Sequence, residues 1–85
     1  MKKSAIYFGA SWCMPCKQLK PIVQQISLQI GAQVQYVDID SSPELVSQYS
    51  ITSIPTIIVV DSSTGNVIQR RSGMIDPGSL RSMLG

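Results

Sequence analysis

Two short runs of this sequence carry apolar side chains at odd and even positions alike. One lies in residues 3–9, around Ile6, Tyr7 and Phe8, and the other spans Thr56 to Val60. A strand with one face in water alternates apolar and polar residues, so these runs predict strands that are buried on both faces. Such strands occupy the middle of a sheet, and other elements must cover both of its faces.

Helical and weaker strand patterns lie between and after these two runs. Apolar residues recur at the spacing of one helical face from Pro15 to Gly31. Proline following serine or aspartate is typical of helix starts. The N-cap of the second helix is either Ser42, before Pro43, or Ser41, which would form a capping box with Glu44. The predicted elements are strands at Lys3–Gly9, Gln33–Ile39, Thr56–Val60 and Val67–Ser72, and helices that begin near Pro15, Pro43 and Pro77.

This order of elements, β-α-β-α-β-β-α, predicts an α/β fold. The first strand, helix and strand form a right-handed crossover, which makes their strands parallel. Only a turn at residues 61–66 joins the last two strands, so they are antiparallel. We therefore expect one domain over residues 1–85, with a mixed four-stranded sheet and three helices that cover it.

Composition excludes several classes of function. The net charge is +2 and the basic residues are scattered, which argues against a nucleic-acid-binding surface. No apolar run reaches membrane-spanning length, and the stretch after Lys2 and Lys3 is too short for a signal peptide. Two cysteines in such a chain indicate a reducing compartment, so we expect a cytoplasmic protein.

Cys13 and Cys16 are the only cysteines, and they flank the predicted junction of strand and helix. Backbone N–H groups at a helix start stabilise an anion, so this place favours the reactive thiolate of Cys13. Cys16 lies one helical turn further on, within reach of the Cys13 sulfur, and Pro15 fixes the backbone between them. The spacing predicts disulfide exchange, in which Cys13 attacks a substrate disulfide and Cys16 resolves the mixed disulfide.

A metal centre and a structural disulfide are the alternatives. A structural metal site needs about four ligands, and this chain has two cysteines and no histidine. We therefore expect no metal and no cofactor, although a metal shared by two chains stays open. A disulfide that closes so short a loop adds little stability, so a purely structural bridge is disfavoured.

The segment Trp12-Cys13-Met14-Pro15-Cys16-Lys17 resembles the W-C-x-P-C-K motif of thioredoxins. The similarity extends over nearly the whole chain, through Val37-Asp38-Ile39-Asp40, Pro43-Glu44-Leu45, the segment from Tyr49 to Thr56, and Gly73. It implies a thioredoxin fold with sheet order 2-1-3-4, in a minimal version without the family's usual first strand and helix. It also implies a monomeric protein-disulfide reductase that is recycled by a thioredoxin reductase or a similar donor, with ribonucleotide reductase among its possible targets.

The resemblance assigns further residues to the site. It implies that the Ile54–Pro55 bond is cis and that the backbone of Ile54 pairs with an extended substrate segment, beside Gly73. Trp12 is interpreted as part of the rim that contacts partners rather than as core. By the family pattern, Asp40 accepts a hydrogen bond from the Trp12 indole; the alternative is a solvated carboxylate. Lys17 is either solvated or, as a nearby positive charge, helps to stabilise the thiolate.

The chain departs from the family pattern beneath and between the cysteines. Thioredoxins commonly place a buried aspartate and a lysine where this chain has Tyr7 and Tyr36. The Tyr7 hydroxyl or a water then replaces the carboxylate in proton transfer, or both tyrosines only fill the core with locally bonded hydroxyls. We expect resolution by Cys16 to be slow or strongly pH-dependent. Met14 replaces the usual glycine and tunes the reduction potential in a direction that the sequence does not give.

Two other functions compete with a thioredoxin-type reductase. The short length suits a glutaredoxin-like reductase that depends on glutathione. The same fold also suits a non-catalytic subunit that binds partners through the surface around the cysteines.

Overall fold

The computed structural model, which describes residues 2–85, has the predicted order of elements. Its elements are β1 (Lys3–Gly9), α1 (Met14–Ile30), β2 (Val34–Asp38), α2 (Pro43–Gln48), β3 (Thr56–Asp61), β4 (Val67–Ser72) and α3 (Pro77–Leu84). The strands form one sheet in the order β2-β1-β3-β4, with β1 and β2 parallel and the other neighbours antiparallel. The predicted fold class and strand order are confirmed.

Both faces of the two central strands are buried, as their apolar runs predict. Successive side chains of a strand point to opposite faces, so Tyr7 and Phe8 of β1 enter different clusters. The Tyr7 cluster lies against α1 and α3, and the Phe8 cluster lies on the other face, beneath α2. β4 closes one edge of the sheet, and all six of its residues are exposed. The sheet therefore provides a fixed base for α1 and for the cysteines at its start.

Cys13 is the N-cap of α1, and its extended backbone (φ −89°, ψ 111°) leads from the end of β1 into the helix. Pro15 occupies the first turn, where its missing N–H leaves no helical bond unmade. Gly31 ends the helix with a positive φ of 70°, a conformation that costs glycine little. α1 thus holds both cysteines at one end and packs along α3.

Of the two N-caps predicted for α2, the structure has Ser42 and not Ser41. Ser42 is the N-cap and Pro43 the first helical residue, but neither the Ser41–Glu44 capping box nor a side-chain bond from Ser42 to any described residue forms. The φ and ψ of Ser42, −133° and 62°, depart from the extended geometry that aims an N-cap side chain at the helix. Asp76 has that geometry before α3, and its carboxylate accepts the Ser79 N–H at 3.0 Å.

None of the helices in residues 2–85 combines the length and the apolar character needed to cross a bilayer.

Candidate active site

Cys13 and Cys16 are joined by a disulfide at the start of α1, with their Cα atoms 5.2 Å apart. The backbone N–H of Cys16 donates to Cys13 Sγ at 3.2 Å. The backbone of Cys13 is fixed from both sides, because its N–H donates to Ala10 O and its carbonyl accepts from Lys17 N. The Cys13 sulfur therefore lies at the positive end of a helix with a donor aimed at it, an arrangement that stabilises a thiolate.

The two sulfurs lie low within an exposed apolar rim. Cys13 and Cys16 are 6% and 3% exposed, whereas Trp12 and Met14 are each 63% exposed. Exposed apolar side chains beside a buried reactive group are typical of a surface that contacts protein partners.

The segment before β3 approaches the same region. The Ile54–Pro55 peptide bond is cis, and partly buried Ile54 packs against the cluster that contains both cysteines. Gly73, with a φ of 83°, donates its N–H to Pro55 O at 2.8 Å and so ties the end of β4 to this segment. Thr56 braces the turn by donating its hydroxyl to Ser53 O at 2.7 Å.

Two charged residues of the motif region have different surroundings. The Asp40 carboxylate accepts a hydrogen bond from the Trp12 indole at 2.9 Å, so it is bonded rather than only solvated. The Asp40 N–H in turn donates to the Asp38 side chain at 2.8 Å, which orients the loop. Lys17 is exposed and borders a cleft behind the cysteines.

That cleft has a volume of about 340 Å³ and lies between α1 and the ends of β1 and β2. Tyr7 and Tyr36 are register partners in its wall, with their ring centroids 5.6 Å apart. The Tyr7 hydroxyl donates to the Cys16 carbonyl oxygen at 3.0 Å. The Lys20 ammonium lies 5.5 Å from the centre of the Tyr36 ring, where a cation–π attraction operates.

The Tyr7 hydroxyl is a poor proton acceptor in this position. Its proton is engaged with a carbonyl, and burial together with the neighbouring Tyr36 raises its pKa to about 12. The interpretation in which Tyr7 replaces the missing carboxylate as a base is therefore disfavoured. The alternative with two locally bonded hydroxyls holds for Tyr7 but is wrong for Tyr36, whose buried hydroxyl has no hydrogen-bond partner in residues 2–85.

Replacing Tyr36 by phenylalanine is expected to stabilise the protein by about 1 kcal/mol, because a buried hydroxyl without a partner costs free energy on folding. The midpoint of thermal unfolding followed by circular dichroism should rise by about 4 °C or more. Tyr49→Phe is the matched control, because Tyr49 is half-buried like Tyr36 but its hydroxyl is not a buried group without a partner in residues 2–85. A fall in the midpoint for Tyr36→Phe would show that its hydroxyl is bonded in solution.

Sequence reasoning missed one residue of this region. Met74 follows Gly73 directly and its side chain is 51% exposed, which places a further apolar group next to the cis-proline segment. Its signal in the sequence is an apolar residue in the short connection between β4 and α3 that belongs to neither the strand nor the helix pattern.

The family model "Thioredoxin" matches residues 1–84 of the chain. The chain belongs to the thioredoxin family. A thioredoxin of Chlamydia trachomatis is 41% identical over 76 residues, which cover 88% of this chain and 72% of the relative. A thioredoxin of Mycoplasmoides gallisepticum is 36% identical over 84 residues, covering 98% of this chain and 82% of the relative.

Solved thioredoxin structures have the same fold. A variant thioredoxin of Halobacterium salinarum superposes with a TM-score of 0.88 at 28% identity, covering 96% of this chain and 71% of that one. Together with the Cys13–Cys16 disulfide, these similarities identify the chain as a thiol–disulfide oxidoreductase, a disulfide reductase of the thioredoxin type. Such a reductase takes electrons from a donor reductase and passes them to disulfide-bonded targets.

Proposed function

We propose that Cys13 is the attacking and Cys16 the resolving cysteine of a cytoplasmic, monomeric protein-disulfide reductase. The observation that carries these roles is the position of Cys13 as the N-cap of α1, with the Cys16 N–H aimed at its sulfur. Cys16 lies within the first turn and is the more buried of the two. A substrate that approaches the exposed rim therefore meets Cys13 first.

The reaction proceeds by two exchanges. The Cys13 thiolate attacks one sulfur of the substrate disulfide, the substrate S–S bond breaks, and the other substrate sulfur leaves as a thiolate. Cys16 then loses its proton and attacks the Cys13 sulfur, which forms the Cys13–Cys16 disulfide and releases the second substrate thiolate. The substrate gains two electrons and the chain loses two, so a reductase must return two electrons and two protons for each turnover.

The substrate-binding surface in this proposal surrounds the Cys13 sulfur. An extended segment of the target pairs with the backbone of Ile54, before Pro55, in the manner of an added strand. Trp12, Met14 and Met74 supply exposed apolar contacts, and the flexible thioether of methionine adapts to partners of different shape. Gly73 supports this surface through its bond to Pro55 and adds no side chain that would obstruct the target.

A reductase that uses NADPH is the proposed electron donor, and ribonucleotide reductase is a proposed target; both rest on membership of the family. Insulin reduction tests the donor, with NADPH and thioredoxin reductase in one assay and glutathione with glutathione reductase in the other. The proposal requires turnover with thioredoxin reductase alone. Turnover with glutathione alone would identify a glutaredoxin-like enzyme. If neither assay shows turnover and Cys13→Ser still binds partners, the protein is a binding subunit.

Trp12→Ala is expected to raise the KM for insulin by about fivefold or more, the usual size of a lost aromatic contact at an interface. Trp12→Phe keeps an aromatic ring but loses the hydrogen bond to Asp40, so its KM should lie between those of Trp12→Ala and the wild type. The control is Leu28→Ala, which removes another exposed apolar side chain more than three turns further along α1. An unchanged KM for Trp12→Ala would remove Trp12 from the surface.

A further inference from the structure

The hydrogen bond of the Tyr7 hydroxyl connects β1, one of the two central strands of the sheet, to the first turn of α1. Tyr7 is 2% exposed, and its hydroxyl donates to the carbonyl oxygen of Cys16, nine residues further along the chain. Cys16 is also the residue whose sulfur must reach Cys13 during resolution. The bond therefore acts on the backbone of one of the two residues whose sulfurs react in that step.

Gly9 makes room for this arrangement. A Cβ atom at Gly9 would lie 2.9 Å from Tyr7 Cε1 and 3.1 Å from the Tyr7 hydroxyl oxygen, too close for the ring to stay in place. Residues two apart in a strand share a face, so the Tyr7 ring lies over the Gly9 backbone on its way to α1. The φ of Gly9 is not in the left-handed region, so it is the space, not the backbone conformation, that requires glycine here.

The first turns of α1 lack one helical hydrogen bond, which makes the bond from Tyr7 more important there. Pro21 lies inside the helix and has no N–H, so the carbonyl of Lys17 lacks its usual donor one turn further on. The turn that carries Cys16 is thereby held to the rest of the helix by one bond fewer than an ordinary turn. The Tyr7 hydroxyl holds this turn from the side of the sheet.

We infer that Tyr7 is a positioning residue for Cys16: its hydroxyl holds the Cys16 carbonyl so that the Cys16 sulfur faces the mixed disulfide on Cys13, and Gly9 leaves the space for its ring. The inference rests on the proposed role of Cys16 as the resolving cysteine. Holding two reacting groups in place raises their effective concentration, which speeds the second exchange and favours the closed disulfide.

Positioning and proton transfer make different demands on Tyr7. The hydroxyl proton is directed at a carbonyl oxygen, which has no proton to give, and the raised pKa keeps Tyr7 neutral through the physiological range. The other titratable groups that line this cleft are Cys16 itself, Lys17 and Lys20 on α1, and Tyr36 and Asp38 on β2. Removal of the Tyr7 hydroxyl should therefore change the rate of resolution but not the shape of its pH profile.

The test compares the reduced wild type with Tyr7→Phe in their reaction with 5,5′-dithiobis(2-nitrobenzoate). Attack by Cys13 releases the first coloured thiolate, and resolution by Cys16 releases the second, so stopped-flow absorbance separates the two steps. For Tyr7→Phe we expect an unchanged first phase and a second phase slowed by about fivefold, the effect of one neutral hydrogen bond. The reduction potential should become less negative by about 20 mV, the same factor expressed as a potential.

Tyr49→Phe is the matched control, because it removes a tyrosine hydroxyl near α2 on the opposite face of the sheet. It should leave both phases and the potential unchanged. Gly9→Ala should slow the second phase in the wild type and have less effect in Tyr7→Phe, where no hydroxyl bond is left to displace.

A second phase and a potential equal to those of the wild type in folded Tyr7→Phe would overturn the inference. A change in the pH profile of the second phase would overturn it as well, because that result would assign proton transfer to Tyr7. If the wild type itself shows no second phase, the proposed role of Cys16 fails; this outcome is distinct from a failure of Tyr7 alone.

Discussion

Cys13→Ser is expected to reduce the turnover of insulin, with NADPH and thioredoxin reductase as the electron source, to the uncatalysed rate. The same helix end would stabilise an anion at this serine, but a serine hydroxyl stays protonated at neutral pH and forms no disulfide. Cys16→Ser should also lose turnover, but for another reason, because its mixed disulfide forms on Cys13 and is not resolved. The coupled loss of NADPH absorbance measures both variants.

Circular dichroism of the two variants provides the control, since each replaces a buried sulfur by a hydroxyl at one end of the core. Both should keep the helical and strand signal of the reduced wild type. Substantial turnover by folded Cys13→Ser would contradict the assignment of Cys13 as the attacking residue.

Phe8→Ala is expected to have the largest effect on stability. Phe8 is fully buried in the cluster beneath α2, with its ring 5.9 Å from that of Tyr49, and its truncation should cost about 3–5 kcal/mol. A domain of this size has a total stability of about 4–13 kcal/mol. The midpoint of thermal unfolding should fall by at least about 12 °C, or the variant should be largely unfolded at room temperature.

Leu28→Ala is the control for this loss. Leu28 is 84% exposed on α1, so its truncation should change the free energy of unfolding by less than about 0.5 kcal/mol. A similar effect of the two substitutions in urea titrations would contradict the description of the Phe8 cluster as a core.

The elements follow from local patterns, and these were visible in the sequence. β1 and β4 begin and end at the predicted residues. Burial on both faces leaves a continuous apolar run in β1, whereas exposed β4 is delimited by the turns that flank it. β2 is shorter by one residue at each end than predicted. The cap of α2 could not be predicted in detail, since it depends on the φ and ψ of Ser42 rather than on its identity.

Long-range contacts set the limit of prediction at the site. The position of Cys13 and Cys16 at the start of a helix follows from the sequence alone. The bond between Trp12 and Asp40 joins residues 28 positions apart, and the sequence left it as one of two alternatives. The Tyr7 bond to the Cys16 carbonyl, the space above Gly9 and the buried Tyr36 hydroxyl arise only when β1, β2 and α1 are packed together.

The division of roles between the two cysteines is tested most directly by the site of the mixed disulfide. Reduced Cys16→Ser is mixed with 5,5′-dithiobis(2-nitrobenzoate), and the adduct is located by mass spectrometry of its peptides. If Cys13 attacks and Cys16 resolves, a single coloured thiolate is released and a stable adduct forms on Cys13, at the rate of the first phase of the wild type. If Cys16→Ser forms no adduct, while Cys13→Ser forms one on Cys16 at that rate, the roles of the two cysteines are reversed.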